Sequence, residues 1–256
     1  MLAGRCPGRR PRVADGPRAR LWALVAGRAG TPAAPVSAGD ACEVAVAVAG
    51  VDGGWLSVMS DPARRALVHA TGRRAAGLDE LGFTLGEGPC VDAFGSGGPV
   101  LVADLGAVGW RERWPGFTDM AETAGAAAVF AFPLVMGAIR VGVLGLYRET
   151  PGSLSPGALA DVLVCVDTAL ELLLNSRAGT DGGADGPLGN GWSDDHAQVY
   201  QATGMVSAQR GVGLEEALAL LRAHAFAQDQ TLDEVAAAVV ARQLRLDSDE
   251  AGEPAG

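Results

Sequence analysis

The 256-residue sequence contains no lysine, one isoleucine (Ile139), two asparagines (Asn175 and Asn190), three histidines and four cysteines. Each shortage removes a class of explanation. Without lysine there is no G-x-x-x-x-G-K-[ST] phosphate loop, so the glycine cluster "LGEGPC" is not one. Cys6, Cys42, Cys90 and Cys165 are scattered without a C-x-x-C pair, which argues against a structural zinc site or a disulfide framework and makes a reducing cytoplasm the default. No apolar run approaches the 18 or so residues that span a bilayer. Positive charge is also scarce, with 20 basic residues against 30 acidic ones and a formal net charge of −10. A protein that coats nucleic acid or anionic membrane through bulk charge is excluded, and any nucleic-acid contact must be local.

What is present is apolar and organised. A hydrophobic content of 48% in this length supports one large or two modest domains. Residues 1–34 carry "RRPR" and read as a basic, disordered tail, or an over-extended start of the reading frame, with an RNA-contacting arm as the alternative. The apolar run "LWALVA" there is short for a signal-peptide core. The glycine-rich stretch 177–192 reads as a flexible linker. It separates a domain at 35–176 from a smaller one at 193–246, and residues 247–256 form a second disordered tail.

In the larger domain, "GWLSVMS", "RALVHAT", "GPVLVAD", "AAVFAFPL" and "IRVGVLGLYRE" are strand candidates bounded by turn residues. The glycines of the last predict a sheet in close contact with another layer. Five strands with a few helices make an α+β sandwich on an antiparallel sheet. A helix is expected over Ala158–Leu174, where Leu159, Val162, Leu163, Val166, Leu170 and Leu173 recur at spacings of three and four. Its apolar surface is wider than one stripe, so it is expected to pack on the sheet and on a second copy of itself. Cys165 reads there as a small core hydrophobe.

The smaller domain reads as three helices. Ser193 is a plausible N-cap with Asp194 and Asp195 behind it, and the first helix ends at Gly211. The second runs from about Leu214 to Gln228, with Leu214, Ala217, Leu218, Leu221 and Ala225 facing inward. "TLDE" at Thr231–Glu234 is a capping box that opens the third. One residue resists this scheme. Gly204 sits in the middle of the first helix, where glycine costs roughly 1 kcal/mol relative to alanine. Val199, Ala202 and Val206 form the core stripe, and Gly204 points away from it beside Gln201 and Ala208. The bare backbone there is available to another helix or to a nucleic-acid loop. Arg222 and Phe226, one turn apart at the edge of the second helix, have the spacing to clamp an unpaired base; packing of Phe226 on the third helix is the blander reading. The segment from Ser193 to Leu246 holds four arginines against seven acids, so a strong electrostatic footprint is missing.

"QATGMVSAQRGVGLEEALALLRAHAFAQDQTLDEVAAAVV", Gln201–Val240, resembles an ANTAR domain, the three-helix RNA-binding module of transcription antiterminators. The matching features are A-x-G-M-V, EEA-x-x-x-LR-x-x-A and L-x-x-VA-x-x-VV. The resemblance implies a homodimer that binds paired RNA stem-loops in leader transcripts and favours read-through of a terminator. Carried over by position, it implies an RNA face of Gln201, Thr203, Gly204, Gln209, Arg210 and Arg222, to which the spacing argument adds Phe226. Thr203 stands where many members place lysine or arginine. "LGEGPCVDAFGSGGPVLVADL", "RWPGF" and "FPLVMGAIRVGVLGLYR" resemble a GAF domain of the kind that actinobacterial proteins fuse to ANTAR, which implies a sensor and dimerisation unit. The lysine-containing cyclic-nucleotide signature of some GAF domains is absent.

Candidate ligand contacts in the sensor are His69, Cys90, Trp110, Trp114 and Phe132. His69 on a strand is either a haem or ligand contact or a hydrogen-bonded core histidine. Trp110 and Trp114 either line a pocket or cover the sheet. Cys90 follows Pro89, which can open a helix whose N-terminus would lower a thiol pKa. No histidine is visibly paired with it, so a structural cysteine is favoured over catalysis or redox sensing. Asp79 with Glu80 and Glu215 with Glu216 read as solvated helix faces. The sequence thus describes a cytoplasmic regulator with a GAF-like sandwich and an all-α ANTAR-like bundle. It identifies no catalytic residue, metal ligand or cofactor. A protein-interaction module without RNA binding, and a Cys90 thiol redox sensor or reductase, are the alternatives.

Overall fold

Trp55, Ser57 and Met59 alternate with Leu56 and Val58, and that period of two feeds two separate cores. The computed structural model describes residues 16–28, 35–61, 64–178, 196–228 and 230–246. Among them, β1 (Gly53–Asp61), β2 (Arg64–Ala70), β3 (Val100–Val102), β4 (Ala128–Met136) and β5 (Ile139–Arg148) form one antiparallel sheet in the order β2-β1-β5-β4-β3. The third strand is shorter than its seven-residue candidate. The β4–β5 hairpin turns at Gly137, whose φ of 62° is the left-handed value a side chain disfavours.

One face of the sheet is covered by α2 (Ala38–Ala49) and α7 (Pro156–Ala178), which enclose Leu56, Val58, Phe130, Phe132, Leu144 and Leu146. The other carries α3 (Arg73–Leu85), α4 (Pro89–Ser96), α5 (Val108–Arg113) and α6 (Pro115–Thr123), packed with Trp55, Met59, Val129 and Val143. The glycines of β5 are explained differently from the expectation. A Cβ on Gly142 would strike the Ser57 carbonyl, and one on Gly145 would strike the Trp55 indole. The close approach is to β1 beside it in the sheet, and no separate layer is involved.

The amino-terminal segment also departs from the sequence reading. Residues 17–28 are not a disordered tail: α1 (Pro17–Arg28) lies on α2 and α7, with Leu21 and Val25 fully buried. The four-residue spacing of those two side chains supplies an apolar edge, and Arg18 and Arg20 reach Glu171 and Asp161 on α7. The wide apolar surface of α7 is therefore covered largely by α1, α2 and the sheet of the same chain. The rest of the two expected tails, the linker from residue 179 onward, and the Ser193 cap with Asp194 and Asp195 lie outside the described residues.

The bundle consists of α8 (Ala197–Arg210), α9 (Leu214–Ala227) and α10 (Leu232–Val240). Gly211 closes α8 at a φ of 68°, and the Thr231–Glu234 capping box opens α10. Val199, Ala202, Val206, Leu218, Leu221, Val235 and Val239 form the core, whereas Leu214 is exposed instead of facing inward.

If α1 is an integral layer, Leu21→Ala should lower stability by about 3 kcal/mol through the cavity it leaves. Trp22→Ala, at an exposed position, should stay within about 0.5 kcal/mol. Urea unfolding of the two variants is the measurement, and equal effects would mean that α1 is not docked.

Candidate nucleic-acid interface

Helical geometry sets Gly204 outside the core stripe of α8, and the structure leaves it open: a Cβ there would meet no atom within 4 Å. Gln201 and Gln209 are exposed on the same helix. Thr203 does not join them. It is 5% exposed, and its Oγ1 donates 2.7 Å to the Val199 carbonyl, as a hydroxyl facing the previous helical turn does. Arg210 turns to the segment that follows α10, where Nη1 donates 3.0 Å to the Leu246 carbonyl. Phe226 is 83% exposed and does not pack as a core residue on α10.

Two arginines missed by the sequence reading lie next to this surface. Arg242 and Arg245 line a concavity of about 300 Å³ with Met205 and Gln209. Arg242 takes a φ of 58°, the one positive value at a non-glycine among the described residues. The packing of α8 against the end of α10 brings these residues together. The signal in the sequence is "ARQLR", an arginine pair just beyond the last helical stripe.

Arg222 is turned elsewhere. Its Nη2 donates to the Phe83 carbonyl, its guanidinium lies 5.7 Å from the Phe83 ring centroid, and its buried Nε has no hydrogen-bond partner. Burial, with the neighbouring Arg65 charge adding to it, lowers the guanidinium to about 10. Phe83, 1% exposed at the end of α3, is the sensor residue in the bundle core. His196 stacks on it at 4.2 Å, and His196 Nε2 is 3.1 Å from Glu80 Oε2. The Tyr200 hydroxyl donates 2.6 Å to the Arg65 carbonyl and accepts from the Arg65 amide at 3.0 Å. The base clamp inferred from the Arg222–Phe226 spacing is therefore not assembled in this arrangement.

Beneath the contact lies a buried polar network, also missed. Arg65 is 3% exposed, its Nη2 is 3.2 Å from Asp79 Oδ2, and Ser57 Oγ donates 2.6 Å to Asp79 Oδ1. Asp79 is thus no solvated face. Burial raises its carboxyl pKa, against the opposing pull of Arg65 and Ser57.

The five ligand candidates do not converge. Cys90 and Trp114 share the core under α3–α6, with Trp110 stacked on Trp114 at 5.0 Å and the Trp114 indole donating 3.1 Å to Asp92. Phe132 faces the opposite core and lines a groove of about 210 Å³ with Pro133, Leu163 and Leu170. His69 is hydrogen-bonded, 3.1 Å from Glu43 Oε1, but it is not the core histidine of the blander reading: it sits half-buried on the edge strand β2. Pro89 does open α4 at its first turn. The Cys90 thiol nevertheless moves the other way from the helix-terminus expectation, pushed up to about 12 by burial and then by the Asp79 charge.

A three-layered α+β sandwich, with helices on both faces of one antiparallel sheet, and a three-helix bundle with an open glycine on its first helix define the class. Residues 38–160 match the GAF domain family and residues 193–240 match the ANTAR domain family. The chain therefore carries a GAF domain followed by an ANTAR domain. The structure is similar to the GAF domain of a phosphoenolpyruvate-protein phosphotransferase from Coxiella burnetii, at 12% identity and a TM-score of 0.46, covering 63% of this chain and 95% of that one. It is also similar to the GAF domain of the Acinetobacter phosphoenolpyruvate-protein phosphotransferase, at 13% identity and 0.45, covering 63% and 93%. No curated protein matches the chain.

Two outcomes test this geometry. Asp79→Ala should cost about 3 kcal/mol because it strands a buried Arg65, and the joint change Arg65→Met with Asp79→Leu should recover most of that loss; urea unfolding reads both. With its pKa near 12, Cys90 holds a thiolate fraction on the order of 10⁻⁴ at pH 8. Iodoacetamide at that pH should therefore leave Cys90 unmodified in the native protein, as mass spectrometry of its peptide would show.

Proposed function

We propose that the protein is an RNA-binding transcription antitermination regulator whose GAF domain senses a small molecule or a partner and whose ANTAR domain, in a homodimer, binds RNA stem-loops. One observation carries the reading: the helix that leaves its backbone open at Gly204 also lines, through Met205 and Gln209, a concavity shared with Arg242 and Arg245. A sugar-phosphate backbone needs close approach and local positive charge, and both are offered within one small surface. Phe226 adds an exposed ring on which a splayed base can stack. The chain's net charge of −10 opposes non-specific binding, so recognition rests on this patch.

For the sensor, the reading draws on the buried Arg65–Asp79–Ser57 network beside Cys90 and Trp114. The Cys90 thiol, held protonated, is poorly suited to attack or redox sensing, and we assign no enzymatic activity. Among the described residues no helix is long and apolar enough to cross a membrane. A cytoplasmic setting, where nascent transcripts are made, completes the reading. Pairing of two copies through the outer face of α7, where Leu163 is exposed, is the dimer mode we favour.

Gel-shift titration of the purified chain with a tandem stem-loop RNA tests the assignment. Gly204→Glu should weaken binding by about tenfold or more, since it sets a carboxylate where phosphate must approach. Arg242→Ala should lower the slope of log affinity against log salt by about 1. No binding by the wild type or by any variant would remove the RNA assignment and leave a protein-docking role for the Gly204 face.

A further inference from the structure

We propose that the Phe83–Gly86 turn of the sensor and Arg222 of the bundle form a latch whose closure withholds Arg222 from RNA. The proposal rests on the RNA-binding reading for its output. Its closure is a separate property of the chain.

Every contact of the joint takes something from the bundle surface that RNA would use, or fixes that surface in place. The Arg222 guanidinium lies against the Phe83 ring, donates to the Phe83 carbonyl and has its Nε enclosed, which commits the group to the sensor rather than to a phosphate or a base. Gly86 makes the berth. It ends α3 at a φ of 68°, and a Cβ there would lie 2.5 Å from Arg222 Nη1. This explains a glycine of the "LGEGPC" cluster that phosphate binding does not. Tyr200 fixes the first helix of the bundle by bonding both backbone groups of Arg65 on β2, an edge strand with outward groups to satisfy. Arg222 and Tyr200 thus reach the sensor from two different helices of the bundle.

The joint is also built to open. It holds one inserted ring, a stacked imidazole and a few polar bonds, the composition of a domain contact that moves rather than of a fused core. Two guanidinium groups, Arg65 at 5.6 Å and Arg222 at 5.7 Å, flank the same ring. Of the two, only Arg65 has a carboxylate partner among the described residues: Asp79, which belongs to the sensor's buried network. Anything that draws Asp79 away exposes Arg222 to an uncompensated like charge, and the latch loosens. The sensor interior and the RNA face are thereby connected through a contiguous series of named contacts.

Two variants of the full chain test the latch. Phe83→Ala removes the inserted ring. Tyr200→Phe keeps the ring in the bundle and removes the hydroxyl that makes the two bonds to Arg65, which guards against misfolding of the first, and circular dichroism checks both. Phenylglyoxal labelling of Arg222, read by mass spectrometry, reports closure without reference to RNA. A tandem stem-loop RNA in a gel shift reports the output. Labelling of Arg222 should be slow in the wild type, and labelling and RNA affinity should rise together by about tenfold in Phe83→Ala and by less in Tyr200→Phe. Adding Arg222→Ala to Phe83→Ala should cancel the gain in affinity. Wild-type Arg222 labelled as fast as the exposed Arg242 would overturn the latch, whatever the RNA does. Faster labelling with unchanged affinity would overturn the masking. Faster labelling with no RNA binding by any form would instead remove the RNA reading, and with it the output assigned here.

Discussion

The insertion of one phenyl ring determines how the two domains of this chain relate. The bundle core is made of valine, leucine and alanine, and three short helices of that composition bury little area. Phe83 supplies the aromatic volume the bundle lacks, and His196, Tyr200 and Arg222 gather around it. The stability of the output domain is therefore coupled to its position on the sensor. A change at the turn after α3 acts on both.

Electrostatics give that contact its character. Burying Arg65 is tolerable because Asp79 lies beside it and Ser57 satisfies the second carboxylate oxygen. Arg222 pairs with no carboxylate among the described residues and is held by a carbonyl and a π face, which is the weaker arrangement. The asymmetry means that the sensor half is fixed while the bundle half is conditional.

Much of this was legible in the residues. The alternation in "GWLSVMS", the three-and-four spacing over Ala158–Leu174 and the "TLDE" capping box are local signals, and each element formed where its signal lies. Gly204 was legible too, because an angle of 100° per residue is enough to place it outside. The parts that stayed hidden depend on distant pairs. α2 carries alanine and valine on nearly every side, so its periodicity is blurred, although Ser37 and Asp40 form a capping box. α1 is amphipathic only through Leu21 and Val25, and its arginines are meaningful only once Glu171 and Asp161 lie opposite. Asp79 looks like one of two adjacent surface acids until Arg65, fourteen positions earlier, is brought beneath it. Resemblance and spacing placed Arg222 on the RNA face without reporting that Phe83 of the other domain holds it, and resemblance placed Thr203 there although its hydroxyl turns back onto its own helix.

The docking of α1 bears on how the protein is handled. The GAF match begins at residue 38, and a recombinant form trimmed to that boundary would shed Leu21 and Val25 from the sheet-facing pair α2 and α7. Val44, Ala45, Cys165 and Ala169, all sealed in the intact chain, belong to the layer that would lose its cover. Self-association of such a fragment would then report an artificial sticky strip, and its stoichiometry should not be transferred to the native regulator.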